Sequence, residues 1–293
     1  MKKTFFLLCA IALTVCSCDK VNDPYIITVA SGPTGPTGTA DTAISRVRKV
    51  LVEDFTGHKC GNCPQAAIAI AGIKNTYQER LVPIAIHSNF YATPGAAPYT
   101  YDFRTTEGND YDAFFTLPAQ PIGLINRIDY PNNHWKSHYS WAAIVDTLMA
   151  IPPDAYIKII NNYNSATRSL STSVRTIFPN QMSGTYKLIV LLTEDSVVKP
   201  QKDYSMPAGQ QDVMNYIHRH VLRDGISSTS FGDQFVTNPT AGLDSTLNFQ
   251  YTLPLTFPAT NGIPPDENHC YVVAYIYDAA TYEVVQVEET KLK

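Results

Sequence analysis

Two cysteines carry the most reactive chemistry in this sequence. Cys60 and Cys63 are separated by Gly61 and Asn62 and followed by Pro64. An apolar run ending in Asp54-Phe55 precedes them, and an Ala/Ile-rich segment at 66–73 follows. That order predicts strand, tight loop and helix, with Cys60 at the helix N-terminus. Unpaired backbone N–H groups and the positive end of the helix dipole favour a thiolate at such a place. The thiolate is the form that attacks disulfides, and this setting lowers a cysteine pKa. Cys63, one helical turn on, can close back on Cys60. On spacing alone two other readings stay open, a purely structural disulfide and half of a zinc site. Structural zinc takes four ligands, usually two such pairs or a Cys pair with a His pair. The chain has no second Cys-x-x-Cys, and His58 and His87 lack the usual spacing.

The elements that must hold the pair are legible around it. Residues 48–55 form the first strand, and 64–80 form the helix, with Pro64 tolerated in its first turn. Leu81-Val-Pro-Ile-Ala-Ile-His87 is a second buried strand, expected parallel to the first because a helix joins them. A long loop rich in Tyr, Pro and Ala spans 88–108, and loops of that length are commonly functional or inserted. A short helix is expected at 109–117, capped by Asn109 or Asp110. Residues 122–125 form the next strand and 139–149 a closing helix, in which Trp141, Ile144, Val145 and Leu148 recur at helical spacing.

At these residues the chain resembles the thioredoxin-like superfamily. Asp54 precedes Cys60 by six positions and is followed by the aromatic Phe55, the spacing at which thioredoxins carry a buried aspartate. The resemblance implies proton transfer by Asp54, attack by Cys60 and resolution by Cys63. It also implies a cis-proline before the strand at 122–125, facing the cysteine pair and shaping the substrate groove. Pro121 occupies that position, with Pro118 as the other candidate. Two positions depart from the pattern. Lys59 replaces the usual aromatic residue and favours a Cys60 thiolate by charge, and Gly-Asn replaces Gly-Pro between the cysteines.

The N-terminus has the pattern of a targeting segment. Lys2 and Lys3 precede an apolar stretch at 4–15 that is shorter than the roughly 20 residues a spanning helix needs. Ser17-Cys18 then resembles a bacterial lipobox. Residues 1–17 are expected to be a signal peptide and Cys18 the lipidated first residue of the mature chain, anchored to a membrane by its acyl chains. Residues 18–45, with Gly32-Pro-Thr-Gly-Pro-Thr-Gly38, form a flexible tether. Without Lys2 and Lys3 the chain carries 20 basic and 26 acidic residues, a net charge of −6, and has no basic stripe. Nucleic-acid binding is excluded on that ground. Of the remaining cysteines, Cys60 and Cys63 can pair outside the cytosol, leaving Cys270 as a buried, inert thiol in a core strand.

Pro152 and Pro153 mark the expected boundary of an α/β domain at 46–152. Strand-like runs then recur at 156–163, 170–178, 185–192, 213–222, 247–257, 270–277 and 282–287. About seven strands in 153–293 predict an immunoglobulin-like β-sandwich as a second domain. His218 and His220 share a face of one such strand, and His134 and His138 lie four apart. Lacking Cys or carboxylate partners at ligand spacing, both pairs are expected to be exposed, with no metal and no cofactor. The lipobox, the motif Thr56-Gly-His-Lys-Cys-Gly-Asn-Cys-Pro64, the strand entry Gln120-Pro121 and the segment Tyr216-Ile-His-Arg-His-Val-Leu-Arg223 together resemble the 28-kilodalton outer membrane protein family of Gram-negative lipoproteins. The resemblance implies an outer-membrane, lipid-anchored protein with a thioredoxin-like domain. Two functional expectations follow. One is a thiol–disulfide oxidoreductase acting on protein thiols or disulfides. The other is a non-enzymatic binding or adhesion module with a structural disulfide.

Overall fold

Every residue of the run Val50–Thr56 is buried, so this strand, β1, needs cover on both of its faces. The computed structural model describes residues 44–258 and 262–293. The expected signal peptide, Cys18 and nearly all of the tether lie outside the described residues. After β1 come α1 (Cys63–Tyr77), β2 (Leu81–His87), α2 (Asn89–Ala92), α3 (Thr106–Phe115), β3 (Ile122–Ile125) and α4 (Trp141–Met149). Then follow β4 (Tyr156–Asn164), β5 (Ser169–Ile177), β6 (Thr185–Glu194), β7 (Val197–Val198), β8 (Gln201–Lys202), β9 (Asp212–Val213) and β10 (Ile217–His218). The chain closes with β11 (Val221–Gly225), β12 (Asp233–Thr237), β13 (Asp244–Thr252), β14 (Cys270–Asp278) and β15 (Val284–Lys291). The protein is mixed α/β with a large share of sheet.

The helical crossover through α1 makes β1 and β2 parallel, from Val50 opposite Leu81 to Thr56 opposite His87. β3 pairs antiparallel with the other edge of β1. The sheet does not stop at β2. β11 lies parallel beside it, with Val221 opposite Ala85, and β6, β14 and β15 continue the same sheet in the order β15-β14-β6-β11-β2-β1-β3. Two separate domains meeting at Pro152 and Pro153 are therefore not what forms. Residues 43–293 make one compact unit. The reason is that β2 has a bare edge after 152 residues, and only a strand from the later segment satisfies its backbone groups.

Alternation along the strands gives the shared sheet two faces. Leu51, Phe55, Ile84, Ile86, Leu191 and Tyr275 point to one side, against Tyr111 and Phe115 of α3. On the other side Val50, Val52 and Leu81 meet α1 and α4 through Ala66, Ile70, Trp141 and Val145. Further along that side, Val190, Leu192, Val272 and Ala274 meet the three-stranded sheet β13-β5-β4 through Ile157, Leu170 and Val174. The later strands thus do face one another in two layers. One layer, however, is an extension of the sheet that holds the cysteine motif, rather than half of a free-standing sandwich.

Other differences have local causes. The helix expected from 109 starts three residues earlier, because Thr105 caps it by accepting from the Gly108 N–H at 2.9 Å. The strand expected at 213–222 is broken into β9, β10 and β11. His220, at φ 54, interrupts the run before Val221, and the short pieces pair instead with β8 and β7.

A buried ion pair of the early segment is tied to the late one through Tyr275. Arg127 donates to Glu53 at 2.8 and 2.6 Å and to the Tyr275 hydroxyl at 2.8 Å. Its guanidinium is also boxed by the rings of Tyr111, Phe115, Tyr275 and Tyr277, at 5.0 to 5.6 Å. Truncation of one partner strands the other charge, so Arg127→Ala is expected to lower stability by about 3–5 kcal/mol in urea unfolding. Fragments 46–152 and 154–293 are expected to lack cooperative tertiary structure when made separately, whereas 44–293 folds. Near-ultraviolet circular dichroism and amide dispersion of the fragments check this, and a native-like spectrum from either fragment alone would contradict the shared sheet.

Candidate functional site

The turn after β1 delivers the cysteines. The Cys60 N–H donates to Gly57 O at 2.9 Å, and the Cys63 N–H donates to Cys60 O at 3.2 Å. α1 begins at Cys63, with Pro64 next, so Cys60 lies in the turn ahead of the helix rather than in its first position. The two sulfurs are bonded, with Cα atoms 5.4 Å apart. Both residues are buried, at 3% and 2% exposure.

Two segments cover them. On one side Lys59 donates its N–H to Tyr91 O at 3.0 Å and lays its ammonium 4.7 Å from the Phe90 ring. On the other side residues 201–204 run along the motif as a strap. The Lys202 N–H donates to His58 O and the Tyr204 N–H to Gly61 O, both at 2.8 Å. The buried Gln201 amide donates to Gly57 O at 3.2 Å and to Cys60 O at 3.0 Å. The Tyr204 ring sits on Gly61 so closely that a Cβ there would meet it at 2.5 Å, which only glycine avoids. The strap is held from behind by Tyr101, whose hydroxyl donates to Pro200 O, and by Asp212, which accepts from Tyr99 at 2.6 Å and pairs with Lys202 at 2.5 Å.

Asp54 is 3% exposed, and its Oδ1 has no hydrogen-bond partner. Burial pushes its carboxyl up to about 8, so the group is mostly protonated at neutral pH. Asp54 lies opposite Ala85 and Thr56 opposite His87, and these four residues share one face of β1 and β2. They floor a trench of about 720 Å³ that opens between α1 and the 213–220 segment. Cys63, Ala67 and Ile68 form the α1 wall, and Val213, Tyr216 and Ile217 form the other. Tyr216, half-buried and beside Asp54, has its phenol pushed up to about 12.

The Gln120–Pro121 peptide is cis, and Pro121 leads directly into β3. The Gln120 amide donates to Thr56 O at 2.9 Å and to Ser88 O at 3.2 Å, which ties this entry to the end of β1. The structure thus brings Asp54 and Cys63 to one trench and Cys60 under the strap, while Pro121 lies outside the trench lining. Cys270 is buried in β14 and unpaired, and burial pushes its thiol up.

The histidines expected at the surface are not there. His218 packs on Phe103 and Tyr216 with its ring 5.6 Å from His87, and His58 lies among Tyr99, Tyr101 and Phe103. Burial lowers His58 to about 4 and His218 to about 3, and it lowers His87 well below the usual range. His220 is held by Asp195 and lowered to about 4, again by burial first. His134 is buried against Phe115 O at 3.2 Å, and His138 is half-buried. The rings of His58, His87 and His218 are packing units in their neutral state. Among the described residues no three His, Cys, Asp or Glu converge to hold a metal ion. The strap and the trench were missed by sequence reasoning. The only signal was negative, since 199–212 shows neither alternation nor helical period.

Comparison with known proteins gives a family and a fold. A family model described as Outer membrane protein Omp28 matches residues 108–293, more than half of the chain, starting downstream of the cysteine pair. No curated protein matches. HBP35 of Porphyromonas gingivalis is similar over 85% of this chain and 76% of its own, at TM-score 0.62 and 14% identity, which shows a likeness of fold alone. A protein of Agrobacterium tumefaciens matches over 85% of this chain and 96% of its own, at TM-score 0.49 and 13% identity. A domain of the outer membrane lipoprotein Omp28 from Porphyromonas gingivalis matches over 48% of this chain and 89% of its own, at TM-score 0.32 and 18% identity.

The Asp54 carboxyl sets a pH dependence with a definite sign. Its folded value of about 8 lies above the unfolded value of roughly 3.9. Its stabilising contribution is therefore fully present below about pH 4 and is lost as pH rises through about 8. Asp54→Asn removes that loss. The stability gain of the variant over the parent is expected to grow between about pH 4 and 8 and then level off, at no more than about 6 kcal/mol. Urea unfolding at both ends of that window checks it, and a gain independent of pH would contradict the buried, unpaired carboxyl.

Proposed function

The chain belongs to the Omp28 family of outer membrane proteins, and from that premise we propose that it is a lipid-anchored envelope protein whose Cys60–Cys63 pair exchanges thiols and disulfides. The observation that carries the proposal is the pairing of a disulfide at the start of α1 with the buried, unpartnered Asp54 carboxyl in the same trench. A carboxyl held at about 8 lies close to the range in which the thiols of such a pair titrate, so it can give or take the proton that exchange releases. The overall step is balanced: two thiols and the protein disulfide become a new disulfide and the Cys60/Cys63 dithiol, or the reverse. Pro121, fixed beside the end of β1 through Gln120, shapes the approach.

Under this reading β1, α1, β2, β3 and α4 form a thioredoxin-like half. The facing layers β13-β5-β4 and β6-β14-β15 form an immunoglobulin-like half grafted onto the same sheet. Cys18 is the lipid-bearing residue, and 18–45 spaces the folded unit from the membrane. The partners are thiols or disulfides of the envelope.

Burial of both sulfurs favours a second reading, in which the disulfide only staples the loop and the protein is a binding module. Alkylation of the reduced protein, followed by mass spectrometry from about pH 5 to 9, separates the two. Exchange requires one thiol of the pair to titrate at least about one unit below 8.5, expected at Cys60, and Cys63→Ser to trap mixed disulfides. Two ordinary thiols and no trapped species would leave the binding module standing. Cys18→Ser is expected to abolish fatty-acid labelling and release the protein from membranes. Retained labelling would move the anchor elsewhere.

A further inference from the structure

The two sulfurs of the pair meet different surroundings. On the Cys60 side, the strap fills the ground that an incoming polypeptide would need. Lys202 and Tyr204 donate their backbone N–H groups to His58 O and Gly61 O, as an added strand would. The Gln201 amide takes Cys60 O and Gly57 O, so the outward-facing acceptors of the motif loop are occupied by this chain's own residues. The Tyr204 ring, 57% exposed, lies flat over Gly61 between the motif and solvent. On the Cys63 side, where that residue is itself 2% exposed, the strap contributes only Gln201 to the lining. Cys63 lies in the wall of a trench of about 720 Å³, a volume that suits a small molecule. Two buried polar side chains with unpartnered atoms, Asp54 and His87, look into it from the floor. Apolar Ala67 and Ile217 line its sides, and Ile68, 62% exposed, lies at its rim.

We propose that the strap is a gate that selects the substrate class. With the strap closed, the pair exchanges with low-molecular-weight thiols and disulfides that enter the trench at Cys63. Polypeptide thiols reach Cys60 only when 201–204 lifts away. The inference rests on the exchange reading above and narrows it. In the closed form, the incoming small thiolate bonds to Cys63 Sγ and the Cys60–Cys63 bond breaks. The electron pair leaves on Cys60 Sγ, which takes up the proton given by the thiol. A second small thiol then attacks the mixed disulfide, releasing the small disulfide and the Cys63 thiol. No further oxidant or reductant enters the balance. The strap's hold is local, since it consists of a few backbone bonds, one amide, one ring, the Tyr101 hydroxyl, the Lys202–Asp212 pair and two residue pairs between β8 and β9. Such a segment opens locally at far less cost than the whole fold.

The test uses the oxidised full-length chain. Loss of the Cys60–Cys63 disulfide is followed with N-acetylcysteine and, separately, with an unfolded polypeptide carrying a single cysteine. In the parent the small thiol is expected to react about tenfold faster or more per thiolate, because access limits the larger attacker. Tyr204→Ala removes the ring over Gly61, and Asp212→Ala removes the contacts to Tyr99 and Lys202 behind the strap. Each is expected to raise the polypeptide rate by several-fold and so shrink that ratio. Ala67→Trp fills the trench from the outer face of α1 and is expected to lower the small-thiol rate instead. Circular dichroism and the unfolding midpoint confirm that each variant is folded. Equal parent rates for the two probes overturn the gate while leaving exchange intact, as does a ratio unmoved by both strap variants. A small-thiol rate unchanged in Ala67→Trp overturns the trench route. Failure of both probes to react even with the strap variants overturns exchange itself and the gate with it.

Discussion

A guanidinium with no solvent exposure fixes how this chain must fold. Arg127 cannot lose its proton in a protein, and moving it with Glu53 out of water costs several kcal/mol per ion. Only the complete set of partners offsets that cost: both carboxylate oxygens, the Tyr275 hydroxyl and the four rings around the cation. Those partners come from β1, α3 and β14, more than 200 residues apart at the extremes. The turn after β3 is pinned in addition by Asn126, which accepts from the Leu51 N–H through its side chain and from the Val284 N–H through its carbonyl. The early segment therefore reaches its final geometry only in the presence of the late one.

The site inherits this dependence. Its cysteines and Asp54 come from the first strand and helix, but its cover and half of its trench come from residues 199–220. A sheet in which β11 lies beside β2 places that second segment against the Cys motif, since β11 follows it immediately in the chain. The three neutral histidines and their aromatic neighbours fill the space between the motif loop and this segment. They pack there because uncharged imidazole behaves as a flat, weakly polar ring.

Local chemistry was legible in the sequence, and non-local pairing was not. The strand before Cys60, the helix after it, the strand entry at Pro121 and the alternation of β5 could all be read within a few residues. The continuous sheet could not, because β2 shows the same apolar run whether its neighbour is β11 or a strand of its own domain. Pro152 and Pro153 mark a real end of α4 and were given too much weight as a boundary. The histidines were misplaced because burial of a polar ring follows from packing between distant segments, which no spacing rule encodes. Gln201 and Tyr204 matter only through the backbone atoms that they meet, and such contacts leave no periodic trace.

The order of the sites along the chain has a consequence in time. Gln201 closes on Cys60 from 141 residues further along the chain. In a polypeptide that enters its compartment N-terminus first, both thiols arrive while every group that will roof them is still on the far side. Oxidants therefore meet a bare dithiol early and a sealed one late. Non-local contacts of this span also form slowly, which widens the interval. On such a route the pair is open to oxidants before residues 201–204 are in place to cover it.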